Sequence, residues 1–172
     1  PTLSSAASDV YKRQKYNHAA KGDLNNDGYL DVVVGVTRAD PYYEGAYIQV
    51  LINNGSGELI DETASRFNNQ VRATSHHGEG NIYLRDMNLD GILDIVHSTR
   101  DFQSNYHGAH IAINDGSGNF QSLPNSVLPN RPARGFNYTN SLYKGLPIDA
   151  DKQGCLDIIS SADSWQDSTT SR

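Results

Sequence analysis

A chain of 172 residues carries 14 Lys and Arg against 20 Asp and Glu, a formal net charge of −6. That acidity argues against a binder of phosphate backbones, so no nucleic-acid partner is expected. With 37% hydrophobic residues, no stretch approaches the ~18 consecutive apolar residues of a membrane span. A single cysteine, Cys155, excludes an internal disulfide framework and any multi-cysteine metal site.

Fifteen glycines, many Asn, Asp and Ser, and one Met suit short strands joined by turns, so the expected fold is all-β. The acidity is also concentrated. Nine of the 20 carboxylates fall in three nine-residue windows, and without them 14 positive groups would face 11 negative ones, a net of +3. Such clustering points to cation sites rather than to a solvated acidic face.

In chain order, residues 1–14 (PTLSSAASDVYKRQ) come first, without an initiator Met and without the basic-then-apolar order of a signal peptide. They read as a non-native cloning scar or as a disordered native linker, and are set aside from the fold. A repeat follows. GDLNNDGYLDVVVG (22–35), RDMNLDGILDIVHS (85–98) and IDADKQGCLDIISS (148–161) align, with leading acids Asp23, Asp86 and Asp149 at intervals of 63 residues. NNGSGEL (53–59) recurs as NDGSGNF (114–120) at an offset of 61. The units divide the chain into 15–78, 79–140 and a truncated 141–172.

Each unit predicts four antiparallel strands, in the second at about 80–85, 92–99, 109–114 and 119–123. Asn54-Gly55 and Asp115-Gly116 mark hairpins, because those pairs tolerate positive φ. After each acidic loop the strand is apolar on both faces (Leu30, Val32, Val33 and Val34; Leu93, Ile95 and Val96; Leu156, Ile158 and Ile159), which predicts small sheets sandwiched between others. Four-stranded sheets stacked face to face are β-propeller blades. About two and a half blades are present, whereas ~4–8 close a ring, so the expectation is a fragment whose partners are the remaining blades of a longer chain, or else a short array capped by a partner chain.

The loops have the chemistry of hard-cation sites. In the first, Asp23, Asn25, Asp27 and Asp31 place oxygens at positions 1, 3, 5 and 9, Gly28 supplies the turn, and Tyr29 at position 7 offers its carbonyl. The second has Asp86, Asn88, Asp90 and Asp94 with Gly91 and the Ile92 carbonyl; the third has Asp149, Asp151, Gln153 and Asp157 with Gly154 and the Cys155 carbonyl. Ca²⁺ takes roughly 6–8 such oxygens in a flexible shell, while Mg²⁺ demands stricter octahedral geometry. Up to three ions are expected, the third held most weakly because Gln153 replaces Asp. The alternative is that Asx-rich turns satisfy only their own backbone amides. With neither an exiting helix nor a position-12 Glu, the loops differ from an EF-hand, so a structural clamp is expected rather than a switch.

The DxNxDGxxD loop, the LD(V/I)V strand and the NGSG or DGSG hairpin together resemble the FG-GAP/VCBS repeat family over roughly residues 16–163. The resemblance implies an integrin-α-like seven-bladed propeller, calcium between the first two strands of a blade, and an extracellular or cell-surface setting. Its members range from adhesion modules to non-catalytic parts of secreted enzymes, so it identifies a scaffold better than a task.

The acidic loops and Gly-Ser-Gly hairpins are expected on one rim. The other rim would carry connections 38–45, 63–78, 100–108 and 123–140. These hold Tyr42, Tyr43, His76, His77, Tyr106, His107, Arg131, Arg134, Phe136 and Tyr138. They could form a surface for carbohydrate or extracellular protein, or be ordinary loop residues covering blade edges. His107 and His110 do not by themselves fix a transition-metal geometry. Ser56 and Ser117 lack the strand-to-helix elbow of a nucleophile. No catalytic residue is assigned. The leading expectation is a calcium-stabilised binding or scaffolding module, and the rival is the propeller part of a secreted polysaccharide lyase or hydrolase.

Overall fold

The structure is a computed structural model that describes residues 14–38, 44–68, 70, 80–99, 110–124 and 140–164. Among them are ten strands and one helix of four residues. The first sheet has the order β1 (Gln14–Gly22), β2 (Asp31–Arg38), β3 (Glu44–Asn53), β4 (Leu59–Asp61). The second repeats it with β5 (Gly80–Arg85), β6 (Asp94–Thr99), β7 (His110–Asn114) and β8 (Phe120–Ser122), and a third pairs β9 (Asn140–Ile148) with β10 (Asp157–Ser164). Every pairing is antiparallel. The protein is thus all-β, its four-stranded sheets have the form of propeller blades, and the described sheets do not close into a ring.

The strand after each loop starts later than its apolar run suggests. β6 begins at Asp94 rather than near residue 92, because Ile92 and Leu93 belong to the turn that carries the acids. The helix α1 (Thr63–Arg66) was not anticipated. It leaves β4 through Thr63, whose hydroxyl donates to Asp61 Oδ1 (2.6 Å) and accepts the Val50 N–H (2.8 Å). An ST-type local bond thereby diverts the chain from extending β4.

Two-sided burial has the predicted origin where two sheets meet. Val33, Val50 and Ile52 of the first sheet pack with Ile82, Leu84, Ile95 and Phe120 of the second in one apolar cluster. Phe67, just beyond α1, meets Phe120 with ring centroids 5.9 Å apart. Gly22 lets the sheets approach closely, since a Cβ there would stand 2.6 Å from Leu93 Cδ1 and force that side chain to shift. Burying each of these aliphatic side chains is worth about 1.5–3 kcal/mol, so the junction, rather than the isolated sheet, holds each blade.

The second sheet also pairs a buried histidine with a half-buried one, which its apolar strand pattern does not announce. His97 and His110 are cross-strand neighbours, with ring centroids 6.4 Å apart. His97 is 3% exposed and its Nε2 finds no hydrogen-bond partner among the described residues. Burial, reinforced by His110, pushes its pKa down to about 3.

Candidate metal centre

The three acidic loops share one backbone trace. Position 4 is left-handed in each (Asn26 φ +58°, Leu89 +63°, Lys152 +61°), and so is the glycine at position 6 (Gly28 +86°, Gly91 +85°, Gly154 +89°). Sequence reasoning anticipated the glycine and missed position 4. Asn suits that conformation, whereas Leu89 holds it at a cost of about 1 kcal/mol.

The trace folds successive amides over the first carboxylate. Asp27 N–H and Gly28 N–H donate to Asp23 Oδ1 and Oδ2 (3.2 and 2.9 Å). Asp90 and Gly91 do the same to Asp86 (3.1 and 2.8 Å), and Gln153 and Gly154 to Asp149 (3.0 and 3.0 Å). Asn25, Asn88 and Asp151 at position 3 each accept the position-5 N–H as well. Asp27 and Asp90 at position 5 accept the position-7 N–H (2.9 and 2.8 Å) and a position-3 amide N–H (2.8 Å each).

Position 9 does more than end the loop. Asp31 is fully buried and accepts the Leu24 N–H at Oδ2 (2.8 Å) and the Asn53 N–H at Oδ1 (2.8 Å). Asp94 repeats this with Met87 (2.8 Å) and Asn114 (2.9 Å). Each carboxylate thus ties its loop to the start of its own hairpin. Burial pushes the Asp94 carboxyl above its ordinary pKa, the Asn114 and Met87 amides oppose that, and Asp90 and Asp86 add to the rise. Asp157 is exposed and, among the described residues, accepts the Ala150 N–H alone, at 3.2 Å.

The position-7 side chains have a packing role of their own: Tyr29 and Ile92 lie over Gly55 and Gly116 of the hairpins, 3.0 Å from where a Cβ would stand. Cys155, at the same place in the third loop, is exposed.

Asp149, Asp151 and Asp157 have ligand oxygens within 4.8 Å of one another. Among the described residues this is the one such group of three His, Cys, Asp or Glu side chains, and neither Asp23, Asp27 and Asp31 nor Asp86, Asp90 and Asp94 forms another. The difference follows from position 3, which is Asp in the third loop and Asn in the other two. The third loop therefore gathers positions 1, 3 and 9, whereas in the first two loops the position-5 carboxylates of Asp27 and Asp90 are bonded along the loop. A ranking of the loops from Gln153 alone does not see this convergence.

The loops and hairpins do meet. Asn26 Nδ2 donates to the Gly116 carbonyl (3.1 Å), Asn114 Nδ2 to the Leu24 carbonyl (2.8 Å), and the Arg66 guanidinium to the Ser117 carbonyl. Arg66 is held from behind by Glu62 at 2.6 Å. Between α1 and the second hairpin lies an open groove of about 350 Å³, lined chiefly by Arg66, Asn68, Asp115, Asn119 and Gln121. Bonds from the Asn119 side chain and the Ser117 amide hold the Asp115 carboxyl below its ordinary pKa. The expected recognition residues Tyr42, Tyr43, His76, His77, Tyr106, His107, Arg131, Arg134, Phe136 and Tyr138 lie outside the described residues.

Stacked antiparallel sheets whose first two strands are joined by an acidic loop, with a Gly-Ser-Gly hairpin before the last strand of the two four-stranded sheets, define a propeller-type repeat module of the binding or scaffolding kind. Residues 23–97, from the first loop through most of β6, match the family model described as FG-GAP-like repeat. No solved structure matched the chain. No helix among the described residues is long and apolar enough to cross a membrane.

Proposed function

We propose that this chain is a calcium-binding repeat module with a binding or scaffolding task in a secreted or cell-surface protein, and that it carries no chemistry of its own. The observation that supports calcium most directly is the group Asp149, Asp151 and Asp157. Oxygens about 2.4 Å from a common ion lie no more than about 4.8 Å apart, a bound that this group satisfies. The donors are all oxygen, with neither His nor Cys in the group, which fits a hard cation. The amides already bound do not exhaust these carboxylates, each of which has about four acceptor sites. In the other two loops Asn25 and Asn88 would supply the position-3 oxygen as a neutral ligand. The ion's part is to neutralise the gathered carboxylates. Three would bring the formal charge from −6 to 0 (−6 + 3 × 2).

Calcium titration calorimetry tests this. The expected result is saturable binding of up to three ions per chain with Kd of roughly 10⁻⁴–10⁻³ M, the range of extracellular modules. Asp151→Ala should remove one ion while the other loops still fill. Absence of saturable heat in millimolar calcium would refute the reading.

A further inference from the structure

The two Gly-Ser-Gly hairpins differ by an exchange of partners. Asn54 of the first stands where Asp115 stands in the second, and four residues on, Glu58 stands where Asn119 stands. The side-chain bond between the two positions is kept, with its direction reversed. Asn54 Nδ2 donates to Glu58 Oε2 (3.0 Å), whereas Asn119 Nδ2 donates to Asp115 Oδ2 (2.8 Å). Each hairpin thus pairs one amide with one carboxylate, and neither sets two carboxylates against each other.

In the first hairpin the exchange sets an asparagine directly before a glycine, in the one Asn-Gly dipeptide of the sequence. Gly55 has no side chain to shield its backbone nitrogen from Asn54 Cγ. Asn54 Oδ1 accepts the Ser56 Oγ–H (2.6 Å), the Ser56 N–H (3.0 Å) and, at greater length, the Glu58 N–H (3.4 Å). Those donors polarise the side-chain carbonyl and are placed to stabilise negative charge on its oxygen. Residues 54–58 are all exposed, so water reaches the site.

We propose that Asn54 is a site of deamidation and that the product loosens the first hairpin. The Gly55 nitrogen, which in the closed hairpin donates to Asn53 Oδ1 (3.0 Å), attacks Asn54 Cγ. The N–Cγ bond forms and the Cγ–Nδ2 bond breaks. Ammonia leaves, carrying the proton that the Gly55 nitrogen gives up. Water then opens the cyclic imide at either carbonyl, leaving an aspartyl or an isoaspartyl residue in place of Asn54. The new carboxylate faces Glu58 without the donor that Asn119 offers Asp115, and like charges at that spacing repel even in water. The isoaspartyl form also lengthens the backbone where Tyr29 lies over Gly55. The second hairpin resists the same ring closure, because Asp115 carries an ionised carboxylate, a poor electrophile, whose hydrogen bonds hold its pKa low.

Peptide mapping by mass spectrometry, on the chain kept for weeks at neutral pH and body temperature, tests the modification. Asn54 should show the mass of an amide-to-acid change, mostly as the isoaspartyl form, ahead of every other asparagine. Ser56→Ala removes the closest donor to Asn54 Oδ1 and should slow the conversion about tenfold. Amide hydrogen exchange at Ser56 and Glu58 reads the consequence. It should be about fivefold faster in Asn54→Asp, the effect of one like-charge contact in water. Adding Glu58→Asn, which rebuilds the pair of the second hairpin, should return it to the wild-type rate. An Asn54 that keeps its amide, or a Ser56→Ala chain that converts as fast as wild type, would overturn the proposal. So would wild-type exchange in Asn54→Asp, or no recovery in the double variant.

Discussion

Replacing Asp94 by Ala should destabilise the protein by about 3–5 kcal/mol even in the presence of a chelator. The carboxylate is fully buried and is the acceptor for the Met87 and Asn114 amides, so its loss strands two backbone donors. Each stranded donor costs roughly 1–3 kcal/mol, and the bonds lost are charge-assisted. Asp31→Ala should behave alike, because Asp31 holds the Leu24 and Asn53 amides. Asp157→Ala should cost less than about 1 kcal/mol, since that residue is exposed and holds one amide at 3.2 Å. Urea denaturation of the three variants, each with and without calcium, checks the order. Equal losses, or losses at Asp31 and Asp94 that vanish in chelator, would show that these residues act only through an ion. Position 9 is therefore a poor probe of metal binding alone, and position 3 is the cleaner one.

The second large effect is acid sensitivity from His97. Its folded pKa of about 3 lies below the 6.5 of the exposed imidazole. Below pH 6.5 the unfolded chain takes up a proton that the folded chain refuses, so stability is full above that pH and falls as the pH drops toward 3. At pH 5 the loss from this group alone is on the order of 2 kcal/mol. His97→Val, with Val34 in the corresponding place of the first sheet, removes the group. Denaturation midpoints at pH 7.5 and pH 5 should converge in the variant. If wild type and variant lose the same stability over that interval, His97 is not the source.

Much of this was legible because the repeat encodes local structure. The DxNxDG spacing, the Asn-Gly and Asp-Gly hairpins and the apolar strands act over two to nine residues, and they placed the loops and β5 to β8 within about two residues. What escaped the sequence was non-local. Asn114 reads as a hairpin residue, yet it clasps the Leu24 carbonyl 90 positions away. His110 invites pairing with nearby His107, whereas strand register sets it opposite His97. The position-9 acids look like ligands that also tie loop to strand, and the fold adds which hairpin amides they hold, those of Asn53 and Asn114. Leu89 in a left-handed conformation defies residue preference, and alignment with Asn26 and Lys152 was the one signal for it. The convergence of Asp151 with Asp149 and Asp157 was legible in principle, since Asp stands at position 3 only there.

The most direct test of calcium as the organising ion is the melting temperature of the chain in chelator, in about 5 mM magnesium and in about 5 mM calcium, a concentration above the ~10⁻⁴–10⁻³ M Kd of extracellular modules. Ligands that bind only the folded state raise the melting temperature by linkage. Calcium should raise it clearly, magnesium much less, and Asp151→Ala should shrink the calcium shift. Superimposable melting curves in chelator and calcium would contradict calcium binding by these loops.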